Sequence, residues 1–172
     1  MLITLVLAYK FLNLTDLQNV LKANQVIWIR HRNYDQHIGR QHYCEYFEIA
    51  GPKPPKYVTV QHYKVGRTWR RIFREAYATA PEKPYRGPMW VLKKFIFRDY
   101  AYELIFWEPT EHCAIMTIDE TLCDMFVWDD RVEKENPTCD KAYDKLCGYK
   151  KYNIYNPTCL PAWKRWQGGV IT

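Results

Sequence analysis

Six cysteines, Cys44, Cys113, Cys123, Cys139, Cys147 and Cys159, constrain this chain more than any other feature. Their number is even, their spacing is wide, and no two form a CxxC pair. They therefore read as a disulfide framework built in an oxidising compartment. Zinc would want closely spaced Cys and His pairs. The five histidines (His31, His37, His42, His62 and His112) form neither HxH nor HExxH, so no metal site is expected. Six cysteines allow fifteen connectivities, and spacing alone does not choose among them.

A chain of 172 residues suits one domain with a real core. Enzyme chemistry finds little support. Serine is absent, which excludes serine hydrolases, and only 7 glycines are present, none in a phosphate loop. Cysteines held as disulfides are not nucleophiles. No cofactor is expected. The net charge of +6 with 16% aromatic residues raises nucleic-acid binding as a class. However, Lys and Arg are scattered, and the densest run, Arg67-Thr68-Trp69-Arg70-Arg71, alternates faces if it is a strand. The reading is a solvated basic surface without a nucleic-acid partner. The opening run Met1 to Ala8 is apolar but too short for a membrane span, and it reads as the remnant of a signal peptide. The expectation is a secreted monomer with no membrane segment. Its parts would be a lead at 1–14, one domain at 15–160 and a tail at 161–172.

Thr15-Asp-Leu-Gln18 matches a capping box, so a short helix is expected near 16–23. Asn13-Leu14-Thr15 is a glycosylation sequon in a secreted chain. Runs rich in Val, Ile, Tyr, Phe, Trp and Thr follow at 26–34, 42–49, 57–64, 68–78, 89–97, 100–107, 112–118 and 121–128. Short turn-forming links make neighbours antiparallel. Eight such strands without a long crossover predict a mainly β, up-and-down antiparallel barrel with room for one small ligand. Cys139, Ala142, Tyr143, Leu146 and Cys147 form a helical apolar stripe, so a C-terminal helix is expected at 139–147. Thr138 would cap it and Gly148 would close it. Residues 152–155 read as an extra strand.

Three segments carry a resemblance. They are Cys139-Asp-Lys-Ala-Tyr-Asp-Lys-Leu-Cys147-Gly148 with Tyr155-Asn-Pro-Thr-Cys159, Cys113-Ala-Ile-Met-Thr-Ile, and Cys123-Asp-Met-Phe-Val-Trp128. Together they resemble the tick salivary lipocalins typified by histamine-binding proteins, over about 15–160. The resemblance implies a disulfide-stapled lipocalin (calycin) barrel that sequesters a small host mediator. In that family the cargo is histamine or serotonin in some members and a fatty acid, leukotriene or thromboxane in others. Some members block complement, so a host protein met through the loops is a further partner class. The family pattern implies two pairings, Cys44 with Cys159 and Cys113 with the C-terminal helix, at Cys139 by spacing. Cys123 would then pair with Cys147, but the connectivity of Cys123, Cys139 and Cys147 stays open.

Burying an ammonium away from water demands a carboxylate partner. One such pair at about 4 Å is worth roughly 4 kcal/mol at an effective dielectric near 20, before desolvation. Aromatic walls add cation–π contact. The family's amine signature, Cys-Asp-aliphatic then Glu-Leu-Trp/Tyr then Cys, aligns with Cys113-Ala114-Ile115, Asp124-Met125-Phe126 and Cys139. One acid is thus replaced by Ala114, and the other is shortened to Asp124. Asp35 stands at a family-like distance before Cys44. On the fourth strand, Trp69, Arg71, Phe73, Glu75 and Tyr77 share one face. If that face is internal, Glu75 lines the pocket, and Arg71 either neutralises it or binds a fatty carboxylate. On the sixth strand, Glu103 and the pair Tyr100 and Tyr102 lie on opposite faces, so only one set is inside. Asp124 and Glu75 are the first candidates for a buried acid.

Overall fold

The structure, a computed structural model, describes residues 11–22, 25–35, 42–93 and 99–159, with backbone alone at 51–53. The expected leader at Met1 to Ala8 and the tail at 161–172 lie outside the described residues. Eight strands run antiparallel: β1 (Val26–Arg32), β2 (His42–Lys53), β3 (Lys56–Val65), β4 (Thr68–Thr79), β5 (Met89–Leu92), β6 (Tyr100–Glu108), β7 (Cys113–Ile118) and β8 (Leu122–Trp128). Each pairs with the next, and β1 pairs with both β8 and β2, which closes the barrel. The expected eight-stranded lipocalin-like architecture is therefore present; β5 ends at Leu92, and residues 94–97 of the strand expected at 89–97 lie outside the described residues. Closure removes every free sheet edge among these strands. A short strand, β9 (Tyr152–Asn153), pairs antiparallel with His31 and Arg32 of β1, beyond the β1–β2 ladder.

Alternation along the strands builds two cores. Ile27, Ile29, Phe47, Ile49, Ala76, Ala78, Trp90, Leu92, Tyr102, Leu104, Met116 and Phe126 fill the lumen. Trp28, Tyr46, Ile115, Met125 and Val127 face outward into a second core shared with the C-terminal helix.

Helix α1 (Leu14–Val20) plugs one end of the barrel. Leu17, Val20 and Leu21 are fully buried, and the Trp128 indole Nε1 donates to Val20 O over 3.2 Å. The cap differs from the expected Thr15 and Gln18. Asn13 is the N-cap: its Oδ1 accepts from Asp16 N at 3.0 Å, while Asp16 Oδ2 accepts from Asn13 N at 2.9 Å. Asn and Asp place their oxygens close to their own backbone, so this reciprocal pair starts the helix two residues earlier. Asn13 itself is exposed.

Helix α2 (Pro137–Cys147) lies outside the barrel and buries Cys139 and Tyr143. Pro137 opens it, since a first-turn residue needs no N–H partner. The N-cap residue is Asn136 rather than Thr138, and its side chain makes no capping bond. Instead Glu111, from the β6–β7 turn, accepts from Thr138 N and Cys139 N at 3.0 and 3.1 Å. Three disulfides form: Cys44–Cys159, as the resemblance implied, together with Cys113–Cys139 and Cys123–Cys147, which decide the connectivity that the sequence left open. Two of them bind α2 to β7 and β8, and the third ties the C-terminal segment to β2.

Candidate ligand-binding site in the barrel

Asp124 on β8 sits four residues before Trp128, about 13 Å along the strand from the end plugged by α1. Its carboxylate is fully buried. Arg32 Nε lies 3.1 Å from Asp124 Oδ1, and Arg32 Nη2 donates to Glu45 Oε2 at 3.1 Å. Tyr34 and Tyr102 both donate their hydroxyls to Asp124 Oδ2, at 3.2 and 3.3 Å. Gln61 Nε2 donates to Glu45 Oε1 at 2.6 Å, and Arg74 Nε donates to Gln61 Oε1 at 2.9 Å. One buried guanidinium thus faces two buried carboxylates, with a second guanidinium linked through an amide.

Burial is the largest influence on these groups. It pushes the Asp124 carboxyl up to about 6, against the pull of Arg32, while Glu45 pushes the same way as burial. It also holds the phenols of Tyr34 and Tyr102 protonated, and nearby Asp124 adds to that. For Arg32, burial opposes the charge, but Asp124 and Glu45 outweigh it and keep the guanidinium protonated. Below this polar layer the lumen is aromatic. Trp90 stacks on Tyr102 at 5.7 Å, and Phe126 meets Tyr102 edge-on at 5.3 Å.

Of the residues singled out in the sequence, Asp124, Phe126 and Tyr102 come together inside. Tyr100 lies at the rim, 38% exposed, with the Arg74 guanidinium 5.7 Å from its ring. Asp35 is half-buried just beyond β1, where its charge is felt by Lys150. The fourth-strand face points the other way. Arg71 and Glu75 are exposed, Phe73 is 59% exposed, and Trp69 lies half-buried on the outer face against Tyr46. The inward face of β4 is Arg74, Ala76 and Ala78, because the register pairs Ala76 with Leu92 and Ala78 with Trp90. Glu75 and Arg71 therefore do not line the lumen. Glu103 is also outward, and its carboxylate accepts from Arg86 N and Gly87 N at 2.7 Å each. Glycine is required there, since a Cβ at position 87 would fall 2.1 Å from Leu104 O. Ala114 is inside, opposite Phe126, and offers no charge where the amine signature has an acid.

Sequence reasoning missed Arg32, Tyr34, Glu45, Gln61, Arg74 and Trp90. For Glu45 the signal was present, since it alternates with Phe47 and Ile49. Arg32 was hidden by a β-bulge between Ile29 and His31. Strict alternation from Ile27 and Ile29 would point His31 inward, but the bulge sends His31 outward against Tyr143 and Arg32 inward opposite Asp124.

A separate concavity of about 670 Å³ runs past Pro84, Arg86, Glu103, Ile105 and Leu146. It contains neither Asp124 nor Glu45. Glu111, Cys113 and Cys139 cluster closely, but both sulfurs are spent in a disulfide and offer no thiolate to a metal. Among the described residues, no helix is long and apolar enough to cross a membrane.

No curated protein matches the chain in a sequence search. A family model does: that of the tick histamine binding proteins, matched over residues 9–161. That span takes in the whole barrel, α2 and all six cysteines. A closed barrel with acids in its lumen and a match across most of its length lead to one assignment: the chain belongs to the tick histamine binding protein family, a family of small-molecule binders.

Proposed function

We propose that this protein is a secreted scavenger that holds a biogenic amine such as histamine or serotonin inside its barrel and so blunts a host inflammatory response. One observation carries the reading: a single guanidinium, Arg32, faces two buried carboxylates, Asp124 and Glu45. The group has one net negative charge, and burial has already raised the Asp124 carboxyl to about 6. A bound ammonium supplies the missing charge where water is excluded, so its attraction is strengthened. Tyr34, Tyr102, Trp90 and Phe126 provide the aromatic surround. Binding needs no catalysis and no cofactor. Three disulfides suit an extracellular protein. The protein acts as a monomer.

A second reading rests on Arg74. This guanidinium is 8% exposed, and no ion pair to it is present among the described residues. It stands above an apolar lumen and suits the carboxylate of a fatty acid or eicosanoid. Calorimetric titration of the oxidised protein with histamine, serotonin and arachidonic acid separates the two. Saturable amine binding near one equivalent supports the first reading. Binding of arachidonic acid alone replaces it with the second.

A further inference from the structure

Arg32 is a buried cation that is poorly satisfied. A guanidinium carries five N–H donors. Among the described residues, Arg32 makes one hydrogen bond, from Nη2 to Glu45 Oε2. Its Nε is 3.1 Å from Asp124 Oδ1, yet neither atom has hydrogen-bond alignment, and Nη1 has no partner. Only 1% of Arg32 is exposed, so water does not make up the deficit. Asp124 and Glu45 hold its charge, but the donors left without hydrogen bonds still carry part of their desolvation cost. The guanidinium also lies 5.0 Å from the Tyr34 ring, so the position is bounded by two carboxylates and an aromatic ring. Those are the parts of a receptor for an organic cation.

We propose that Asp124 and Glu45 form a cation site whose resident is the chain's own Arg32, and that a ligand's ammonium or amidinium binds by displacing it. The inference rests on the amine reading and adds a mechanism of selection. Arg32 is tethered to β1 and competes with every incoming cation. A ligand wins when its charge meets both carboxylates and its apolar body gains the aromatic lumen below. Small inorganic cations gain nothing from that lumen and are refused. The surrounding charges are accounted for: Arg74 is linked to Glu45 through Gln61, and His42 Nδ1 lies 4.0 Å from Glu45 Oε2, its imidazole kept neutral chiefly by burial.

The test compares Arg32→Gln, Glu45→Gln and the double variant with the wild type, by calorimetry with histamine. Freed of its competitor, Arg32→Gln binds at least tenfold tighter. Glu45→Gln, where Arg32 and Asp124 neutralise each other, binds at least tenfold weaker. Where Arg32→Gln fails to fold, the double variant carries the comparison and binds tighter than Glu45→Gln alone. Equal or weaker binding on losing Arg32 overturns the proposal. Thermal melting of Arg32→Ala with millimolar methylguanidinium gives an independent arm. Stabilisation of that variant, and not of the wild type, supports a displaceable cation site, and its absence counts against one. Failure of all amines to bind any variant refutes the amine reading, while the methylguanidinium result still decides the site.

Discussion

The hydroxyl of Tyr102 on β6 donates to the carboxylate of Asp124 on β8 over 3.3 Å, reaching across the intervening strand β7. Met116 of β7 pairs with Asp124 and leaves that crossing apolar. The bond therefore spans the lumen wall between two strands that share no ladder. It joins a phenol to a carboxylate, and the Trp90 ring stacks on that phenol.

Asp124 is the anchor of the polar layer, so Asp124→Asn is expected to weaken amine binding at least tenfold. The amide keeps the shape and removes the charge. Calorimetry with histamine measures it, and an unchanged affinity would place the ammonium elsewhere.

Acid should weaken binding too. The Asp124 carboxyl titrates near 6, so it becomes neutral as pH falls through that value. Serotonin affinity is then expected to drop below about pH 6, and serotonin is the better probe because histamine's own imidazole titrates there. Tyr102→Phe removes a bond that favours the charged form, so the midpoint moves upward. A pH-independent affinity would show that Asp124 does not hold the cation.

Stability has the opposite sign. The folded-state value is raised above the unfolded one, so this group's contribution is complete below the unfolded value near 3.8. It is lost as pH rises through about 6. Denaturant unfolding of the wild type and Asp124→Asn should therefore shift in favour of the wild type between about pH 8 and about pH 5.

Cys44 and Cys159 are separated by 115 residues, the widest of the three closures. Replacing both by Ala is expected to cost about 4–5 kcal/mol by the chain-entropy argument, seen as a lower denaturant midpoint. The loss should exceed that for removing Cys123–Cys147, which closes a separation of 24.

Glu111 caps α2 from another element, with one carboxylate serving two backbone donors. Glu111→Ala is expected to lose about 1–2 kcal/mol. Hydrogen exchange at Thr138 and Cys139 should quicken, while the Cys113–Cys139 bond keeps the helix attached.

Much of this molecule was legible in residue order alone. The β-rich runs and short turns predicted eight antiparallel strands, and the stripe from Cys139 to Cys147 predicted α2. The family motifs implied the Cys44–Cys159 bond and a bond from Cys113 to α2, while the fold decided the partners of Cys123, Cys139 and Cys147. Asp124 stood out because it occupies the place of an acid in a recognisable pattern. By contrast, Arg71, Glu75 and Glu103 are chemically plausible ligand residues that face solvent or the 86–87 backbone.

The division has a physical cause. A strand's side chains alternate with a period of two, so residue order separates its faces without saying which one is inside. That label comes only when the barrel closes, and on β4 it chose Arg74, Ala76 and Ala78 over Arg71, Phe73 and Glu75. A single bulge between Ile29 and His31 shifts the alternation by one and brings Arg32 to Asp124. Local patterns thus sufficed for the elements and their order, whereas the sidedness of the charges, and with it the binding site, arose from pairing between strands distant in the chain.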